Sequence, residues 1–393
     1  WVEDAVNAGD PSDPYLFAGF RGRQVHLSAR GTGELEVEVE TSGGDGTWKA
    51  ALKLQIPSSG YAHYLFPDDA AGEWIRFRMS RNSIVTAYLH YAGIAGRPHP
   101  DEPRLFGGWR SQEDPGPLLL LRPAAHNRNL LVISGDEGLE MDERMSFTRC
   151  ENRLALDEAG RAVALSPLVQ YDQASAFLHD AHRRRFRLPV VSGTKPFGRD
   201  LREVQSERTL AHIGNIFYEI PRGEADKAEL DVRRLRPVSA HRGVVHDFCS
   251  WRGLLILSGV GPKGAGDGHV FELPGGDRAL WAGCVDDLWK LGKPVGEGGP
   301  WKGSPVQGGV PSDPYLMTGF DRKSLRLSHE AGVGVRFRVE IDFVNRDEWV
   351  AWDTFSVPPG RGIPVLFPEG FSAHWVRLVA DRNCVATAWF RYE

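Results

Sequence analysis

The chain has 393 residues, of which 41% are hydrophobic and 25% charged, as is usual for soluble globular proteins. This length predicts two or three domains rather than one. The net charge of -5 gives no reason to expect a nucleic-acid partner or an anionic membrane, and the longest apolar run, at 118–121, is far too short for a membrane span.

The first element of the chain is one half of an internal repeat. Pro-Ser-Asp-Pro-Tyr-Leu occurs at 11–16 and again at 311–316. The offset is 300 at first and becomes 301 after one extra residue near Asn345. Further matches pair Trp48 with Trp349, Trp74 with Trp375 and Tyr91 with Tyr392. Matches of this density over about 90 residues indicate a duplicated module.

Each copy is predicted to be a β-sandwich. Residues 34–40 alternate charged and apolar side chains, which places Leu35, Val37 and Val39 on one face of a strand. Strand-like runs in the first copy lie at 15–20, 23–29, 34–41, 48–56, 61–66, 73–79 and 83–91. Such a series is typical of an all-β, immunoglobulin-like or fibronectin-like sandwich. Trp352 replaces Ala51 of the first copy, so we predict an exposed aromatic there.

The middle segment is predicted to be β-propeller-like, so the domains are 1–92, 93–300 and 301–393. Between 243 and 290, four strand-like runs follow one another, and four antiparallel strands in about 45 residues make one propeller blade. At that rate the segment supplies four or five blades, and it either closes alone or is completed by blades outside it. Asp172 to Arg184 has the apolar spacing of a helix.

The repeat also predicts domains outside this chain. Trp301 leaves the middle segment and enters the second sandwich, and Trp1 is its counterpart. We therefore expect further N-terminal domains of the same protein, including a propeller portion, to precede Trp1.

Several stretches resemble a group of large bacterial exported proteins that combine β-propeller regions with a sandwich. The resemblance lies in the Pro-Ser-Asp-Pro-Tyr-Leu module and in 220–221, 246–259, 286–294 and 298–301, and it covers about the last 190 residues. These proteins belong to polysaccharide-degrading systems. The resemblance thus implies a polysaccharide or glycan partner and an extracellular or periplasmic location, but no particular reaction.

Three side chains of types that suit zinc lie close together in the sequence. His241, His246 and Cys249 form a His-x4-His-x2-Cys pattern. In a strand His246 would point away from residues 247 and 249, so the three converge only through a bulge or turn. The alternative is a buried cysteine with surface histidines. A structural zinc is the one cofactor that the sequence suggests.

A polar cluster at 203–219 holds the candidates for catalysis. A polysaccharide lyase needs a base and a cation that neutralises a uronate carboxylate, and His212, Tyr218 and Arg208 suit these roles. A glycosidase needs two carboxylates, for which Glu207 with Asp247 or Asp286 is a candidate pair. Otherwise these are turn or rim residues. Trp251 and Trp352 are the candidates for stacking on a sugar ring.

These observations favour an extracellular carbohydrate-active protein, similar to a polysaccharide lyase or a glycoside hydrolase, with any active site on the middle segment. The alternative is a non-catalytic carbohydrate-binding, adhesion or scaffold protein built from repeated modules.

Overall fold

Almost all regular structure is β, as the short apolar and alternating runs predict. The computed structural model describes residues 1–393 except 31–33, 92–98, 100–107, 125–126, 151–167, 195–197, 206–207, 224–228 and 263–267, and except the side chains of residues 205 and 208. The chain forms two units, one of residues 1–95 with 300–390 and one of residues 96–299 with 391–393. Within the described ranges, no helix has the length and apolarity that crossing a membrane requires.

The first copy of the repeat is a sandwich of two four-stranded antiparallel sheets. Its strands are β1 (Asp4–Val6), β2 (Tyr15–Leu16), β3 (Arg23–Arg30), β4 (Leu35–Ser42), β5 (Lys49–Ile56), β6 (Tyr61–Leu65), β7 (Trp74–Met79) and β8 (Ser83–Tyr91). The sheets have the orders β1-β8-β3-β6 and β2-β7-β4-β5. The seven predicted runs are confirmed as β2 to β8. Val37 and Val39 are fully buried in the core between the sheets, as their alternation predicts.

The middle segment consists of short antiparallel strands. They are β9 (Leu120–Pro123), β10 (Leu130–Ser134), β11 (Glu137–Met141), β12 (Phe147–Arg149), β13 (Gln170–Tyr171), β14 (Ala176–His179), β15 (Arg185–Leu188), β16 (Leu201–Gln205), β17 (Arg208–Ile213), β18 (Ile216–Ile220), β19 (Arg236–Ala240), β20 (Phe248–Trp251), β21 (Leu254–Val260), β22 (Val270–Glu272) and β23 (Ala279–Gly283). Short 3-10 helices occupy Val232–Arg234 and Val285–Lys290. Both β9–β12 and β16–β19 form four-stranded meanders of the propeller-like kind.

The four strands predicted between 243 and 290 are present, with two differences. The first begins at Phe248, because 244–247 is irregular and its amides bond elsewhere: Val244 N–H donates to the Arg110 carbonyl and His246 N–H to that of Ser258. The sheet order is β20-β21-β23-β22, so these strands form no simple meander.

The helix predicted from Asp172 to Arg184 is wrong, since this stretch consists of the strand β14 with a turn on each side. The Asp172 carboxylate accepts the backbone N–H of Ala174 and Ser175, and the Asp180 carboxylate accepts those of His182 and Arg184. Aspartates that bind the backbone in this way favour turns over helix. The apolar spacing reflects the two sides of β14 and its flanks.

The second copy repeats the topology of the first. Its strands are β24 (Gly296–Val306), β25 (Tyr315–Leu316), β26 (Lys323–His329), β27 (Val335–Asp342), β28 (Val350–Val357), β29 (Ile363–Leu366), β30 (Trp375–Ala380) and β31 (Cys384–Tyr392). They pair in the orders β24-β31-β26-β29 and β25-β30-β27-β28. The extra residue near Asn345 lies in a turn where the buried Asp342 carboxylate accepts the N–H groups of residues 345, 346 and 347.

The two sandwiches contact each other within the first unit. On β3, Gln24 donates to the Gly370 carbonyl at 2.7 Å, and His26 is completely buried. The His26 ring stacks on Phe343 with centroids 4.9 Å apart, and His63 meets Phe371 edge-on. One sheet of the first copy is therefore packed on loops of the second.

Both copies carry a cluster of one glutamate and two arginines. It lies on the sheet that contains β4 and β7 in the first copy, and on the sheet that contains β27 and β30 in the second. In the first, the Glu40 carboxylate accepts hydrogen bonds from Arg76 at 2.6 Å and Arg78 at 2.7 Å, and the Arg76 guanidinium lies over Trp48. In the second, Glu340 accepts from Arg377 and Arg338, both at 2.7 Å, and Arg377 lies over Trp349. Trp48 and Trp349, one of the recurring tryptophan pairs, thus pack against arginines and are half-buried.

Candidate functional site

A charged pocket opens on the second unit. It has a volume of about 180 Å³. Its lining consists of His99, Val191, Ser192, Arg242, Val295, Gly296, Glu297, Arg391, Tyr392 and Glu393. The name charged pocket refers to this set below. Two arginines and two glutamates thus line one small space.

One wall of the charged pocket is fixed by backbone pairing. Val190 and Glu297 exchange N–H···O=C bonds of 3.0 and 2.8 Å, and Val191 N–H donates to the Gly214 carbonyl at 2.8 Å. Gly214 has a φ of +55°, and a Cβ there would meet Val190 at 2.4 Å. Glycine at this position therefore allows the wall to sit against β17 and β18.

Tyr218, a predicted catalytic residue, lies behind this wall. It is fully buried, and its hydroxyl donates to the Pro189 carbonyl at 3.2 Å, next to the wall residues Val190 and Val191. Burial, and then the neighbouring Tyr171, hold the Tyr218 pKa well above its ordinary value. Tyr218 thus supports the pocket and does not line it.

His212 and His241 form a buried pair beside the pocket. Their Nε2 atoms are 2.9 Å apart, so one ring donates a hydrogen bond to the other, and their ring centroids are 5.0 Å apart. Trp109 stacks on the far side of His241, also at 5.0 Å. Burial lowers the His212 pKa to about 3 and puts that of His241 well below its usual range. Both rings are therefore neutral near pH 7.

The histidine pair positions the turn that presents Arg242. The His241 N–H donates to the Asn215 carbonyl, and the Asn215 side chain donates to the Gly243 carbonyl at 2.8 Å. A Cβ at Gly243 would meet Trp109 at 2.7 Å. Arg242 itself is exposed, flanked by two buried residues. His212, predicted as a base, contributes through its contact with His241 to the packing of the turn that carries Arg242.

The third residue of the predicted catalytic set is not described. The side chain of Arg208 and the whole of Glu207 lie outside the described residues. Asp247, considered for a carboxylate pair, is completely buried. Its carboxylate accepts hydrogen bonds from Arg199 at 2.6 Å and from the N–H groups of Leu121 and Phe248 at 2.8 Å. These contacts are those of a structural ion pair.

The structure places the predicted zinc ligands in separate roles. His246 accepts the Leu119 N–H at Nδ1 and donates from Nε2 to the Pro115 carbonyl, and burial lowers its pKa to about 4. Cys249 is buried, which raises its pKa to about 12. In the described part of the chain, no three His, Cys, Asp or Glu side chains gather as a metal ion would require. His241, His246 and Cys249 thus take part in separate contacts.

The predicted sugar-stacking tryptophans are covered to different degrees. Trp251 is buried, and its indole N–H donates to the Arg128 carbonyl at 2.9 Å. Trp352 is half-buried and stacks on Phe367 with centroids 4.5 Å apart. Trp352 thus keeps part of its ring accessible, whereas Trp251 belongs to a core cluster.

Sequence reasoning missed Arg242 and Glu297. Arg242 directly follows the predicted ligand His241, and Glu297 stands alone among glycines in Gly296-Glu-Gly-Gly299. The sequence pattern that could point to Glu297 is a charged side chain in a glycine-rich segment between apolar runs. This pattern does not identify a pocket residue by itself, because the wall of the pocket depends on the pairing of residues 190 and 297.

Comparisons with known proteins do not show a family to which the chain belongs. No protein-family model and no curated protein sequence matches the chain. An exo-beta-1,3-galactanase from Phanerochaete chrysosporium has 8% identity and a TM-score of 0.17, over 74% of this chain and 100% of that one. A family 43 arabinoxylan arabinofuranohydrolase from Bacillus subtilis has 8% identity and a TM-score of 0.20, over 91% and 78%. Vicilin from Corylus avellana has 10% identity and a TM-score of 0.16, over 98% and 72%. TM-scores this low carry no argument about function.

Proposed function

We propose that the protein is carbohydrate-active and that the charged pocket binds one sugar unit of a glycan. The observation that carries this proposal is that one opening is lined by two guanidinium groups and two carboxylates, those of Arg242, Arg391, Glu297 and Glu393. Sugars present many hydroxyl groups, which donate to carboxylates and accept from guanidinium groups. A pocket with both kinds of group satisfies such a ligand from two sides.

The size and charge of the pocket narrow the class of sugar. Its volume of about 180 Å³ is below the range of about 300–1,000 Å³ that drug-sized ligands occupy, which suits a single ring or a chain end. The two arginines are balanced by two glutamates, and Arg391 already pairs with Glu393 at 2.9 Å. Near balance of charge favours a neutral sugar over a polyuronate.

Any catalysis at this site would use its carboxylates. A glycoside hydrolase places two carboxylic acids on either side of the scissile bond, one as acid and one as base or nucleophile. Glu297 and Glu393 are the pair that the charged pocket offers for these roles. The lyase assignment is less well supported, because His212 and Tyr218 are buried and are not among the residues that line the pocket. An extracellular or periplasmic location forms part of the proposal, and fractionation of the producing cell tests it.

The experiment is a binding and turnover screen on the purified chain. Neutral and uronate-containing polysaccharides are compared by affinity electrophoresis, and new reducing or unsaturated ends are assayed in parallel. We expect Arg242→Ala and Glu297→Gln to weaken binding of a neutral glycan at least about tenfold, the effect of removing one charged hydrogen bond. Matched controls are Arg144→Ala and Glu143→Gln, since both residues are exposed in the same unit.

The outcomes separate the alternatives. Binding with new reducing ends supports a hydrolase, and binding without any product supports a non-catalytic carbohydrate-binding protein. Unsaturated ends from a uronate polymer would favour the lyase instead. Absence of binding to every glycan, or equal binding by both pocket variants and both controls, contradicts the proposal.

A further inference from the structure

The first sandwich holds a cavity of about 350 Å³ between its segments 18–23 and 68–72. This cavity is here called the turn pocket, and its defining residues are Phe20, Arg21, Arg23, Asp68, Asp69 and Ala70. We propose that the turn pocket is a second carbohydrate-binding site, which takes a neutral sugar ring. The site is separate from the charged pocket, and only the class of ligand rests on the proposed function. Its volume is within the range of about 300–1,000 Å³ that small-molecule sites occupy.

Arg23 holds the two walls of the turn pocket together. This residue is only 5% exposed. One Nη atom donates to the Phe17 carbonyl at 3.3 Å, and the other donates to the carbonyls of Asp68 and Ala70 at 3.0 and 3.1 Å. The guanidinium also lies over the Phe17 ring. Because these contacts fix both segments, a ligand would meet walls that are already ordered, which lowers the cost of binding.

Arg23 also leaves one donor unsatisfied. Its Nε–H is buried and has no hydrogen-bond partner in the part of the chain that the structure describes. A buried donor without an acceptor is costly, so native proteins rarely keep one without a reason. Since Arg23 lines the turn pocket, a hydroxyl oxygen of a bound sugar would supply the acceptor that this donor lacks.

The exposed charges of the turn pocket suit a ligand rich in hydroxyl groups. Arg21, Asp68 and Asp69 are exposed, and within the described ranges no ion pair or side-chain hydrogen bond engages them. Hydroxyl groups donate to carboxylates and accept from guanidinium groups. With Arg23, the pocket has two positive and two negative side chains, and this balance favours a neutral sugar over a charged one.

Phe20 supplies the apolar surface of the site. Its ring is stacked on Tyr91, with centroids 4.6 Å apart and an interplanar angle of 22°, and the residue is still 45% exposed. The Tyr91 hydroxyl donates to the Leu16 carbonyl, so the ring behind Phe20 is itself anchored. The outer face of Phe20 is therefore held in one orientation. The C–H groups of a sugar ring can pack on such a face while its hydroxyl groups reach the charged side chains.

The second copy of the repeat differs at this place. Three lining positions have changed, since Arg21, Asp69 and Ala70 correspond to Asp321, Gly370 and Phe371. Gly72 has a φ of +129°, and a Cβ there would meet the Thr41 side chain at 2.8 Å, whereas the second copy has Ala373. The backbone path beside the turn pocket thus requires a glycine that only the first copy has.

The test measures binding of neutral oligosaccharides by the 393-residue chain. An array of gluco-, galacto-, xylo-, arabino- and manno-oligosaccharides identifies those that bind, and isothermal titration calorimetry gives their Kd. The background is the double variant Arg242→Ala/Glu297→Gln, which removes the contribution of the charged pocket. In this background, Phe20→Ala and Asp69→Asn should each weaken binding at least about tenfold, since one removes the stacking surface and the other a charged hydrogen bond.

The matched controls are Val333→Ala and Glu34→Gln, which alter an exposed apolar and an exposed acidic side chain of the same unit. They should leave the Kd within about twofold. Thermal unfolding of each variant verifies that it is folded.

The outcomes for the two pockets are distinguishable. Binding that survives in the double-variant background and is weakened by Phe20→Ala and Asp69→Asn supports the turn pocket, even if the charged pocket fails its own test. Loss of all binding in that background overturns the turn pocket and leaves the proposed function intact. Equal Kd values for the pocket variants and the controls, or tighter binding of uronate than of neutral oligosaccharides, also overturn the turn pocket. Absence of binding to every oligosaccharide by the parent chain contradicts both sites.

Discussion

His26 donates a hydrogen bond from Nε2 to the main-chain carbonyl of Ser372 at 2.8 Å and thereby joins the two sandwiches. Its Nδ1 accepts the Tyr61 hydroxyl at 2.9 Å. The neutral ring satisfies both partners, whereas protonation would place a second N–H on the ring and require the Tyr61 hydroxyl to turn from donor to acceptor. Burial, followed by the neighbouring His63 and His90, holds the His26 pKa well below its ordinary value.

This contact predicts acid lability of the first unit. The unfolded state binds a proton at His26 near pH 6.5 and the folded state does not, so the free energy of unfolding falls as pH drops below about 6.5. The slope is about 1.4 kcal/mol per pH unit until the folded pKa is reached. His63, with a pKa lowered to about 4 by burial, acts in the same direction. Urea unfolding between pH 5 and 8 measures the effect.

The matched variant is His26→Gln, which keeps a donor for Ser372 and removes the titrating group. It should reduce the slope of the free energy of unfolding against pH by about 1.4 kcal/mol per pH unit, which is the contribution of one proton. Parallel pH dependences for His26→Gln and the parent chain would contradict the assignment.

We expect a substitution of Asp247 to reduce stability strongly, although Asp247 has no role in binding. Asp247→Ala leaves Arg199 and Arg202 without their buried carboxylate, and the free energy of unfolding should fall by about 3–5 kcal/mol. The control is Glu143→Ala, which removes an exposed ion pair with Arg252 and should change stability by less than about 1 kcal/mol. Similar losses for the two variants would show that the Asp247 ion pair is not the cause.

We expect a substitution of Glu40 to destabilise the first sandwich by a smaller amount. Burial opposes its ionisation, but hydrogen bonds from Arg76 and Arg78 outweigh this and hold its pKa below the ordinary value. Glu40→Gln should therefore destabilise by about 1.5–3 kcal/mol at neutral pH. The difference should shrink as pH falls through the Glu40 pKa. Glu36 lies on the same strand as Glu40, and Glu36→Gln, which removes a largely solvent-exposed pair with Lys53 of β5, should have little effect.

Thiol reactivity provides an independent check on Cys249. No disulfide joins the four cysteines, all of which lie within the described ranges. Cys284 is exposed, and Cys249 is buried with its pKa raised to about 12. Ellman's reagent should react first with Cys284 in the native chain and reach Cys249 only after unfolding. Rapid reaction of Cys249 in a Cys284→Ser variant would be incompatible with the environment described.

Much of the fold was predictable because period-two patterns report directly on strands. Leu35, Val37 and Val39 alternate with glutamates, and the structure buries all three. The strand and turns at 172–184 were missed because the two aspartates favour turns through backbone contacts that an apolar count ignores. Sheet order at β20–β23 was equally hidden, since strand positions do not specify neighbours.

The sequence predicted residues that lie near the candidate site but not the residues that line it. His212, Tyr218 and His241 do lie around the charged pocket, but one layer behind its surface. Sequence pattern cannot say which of two polar residues faces a cavity when the intervening backbone comes from a distant segment. Here that segment is 190–191, paired with Glu297.

The arginine pairs of the two sandwiches have a consequence for how the copies diverged. Arg78 faces Glu38 across β4 and β7, whereas the matching pair in the second copy is Val379 and Arg338. The second arginine thus stands on β7 in the first copy and on β27 in the second, while the glutamate has two cationic partners in both. Whichever arrangement came first, an intermediate that carried both arginines would have kept the carboxylate paired, whereas one that carried neither would have left it with a single cation.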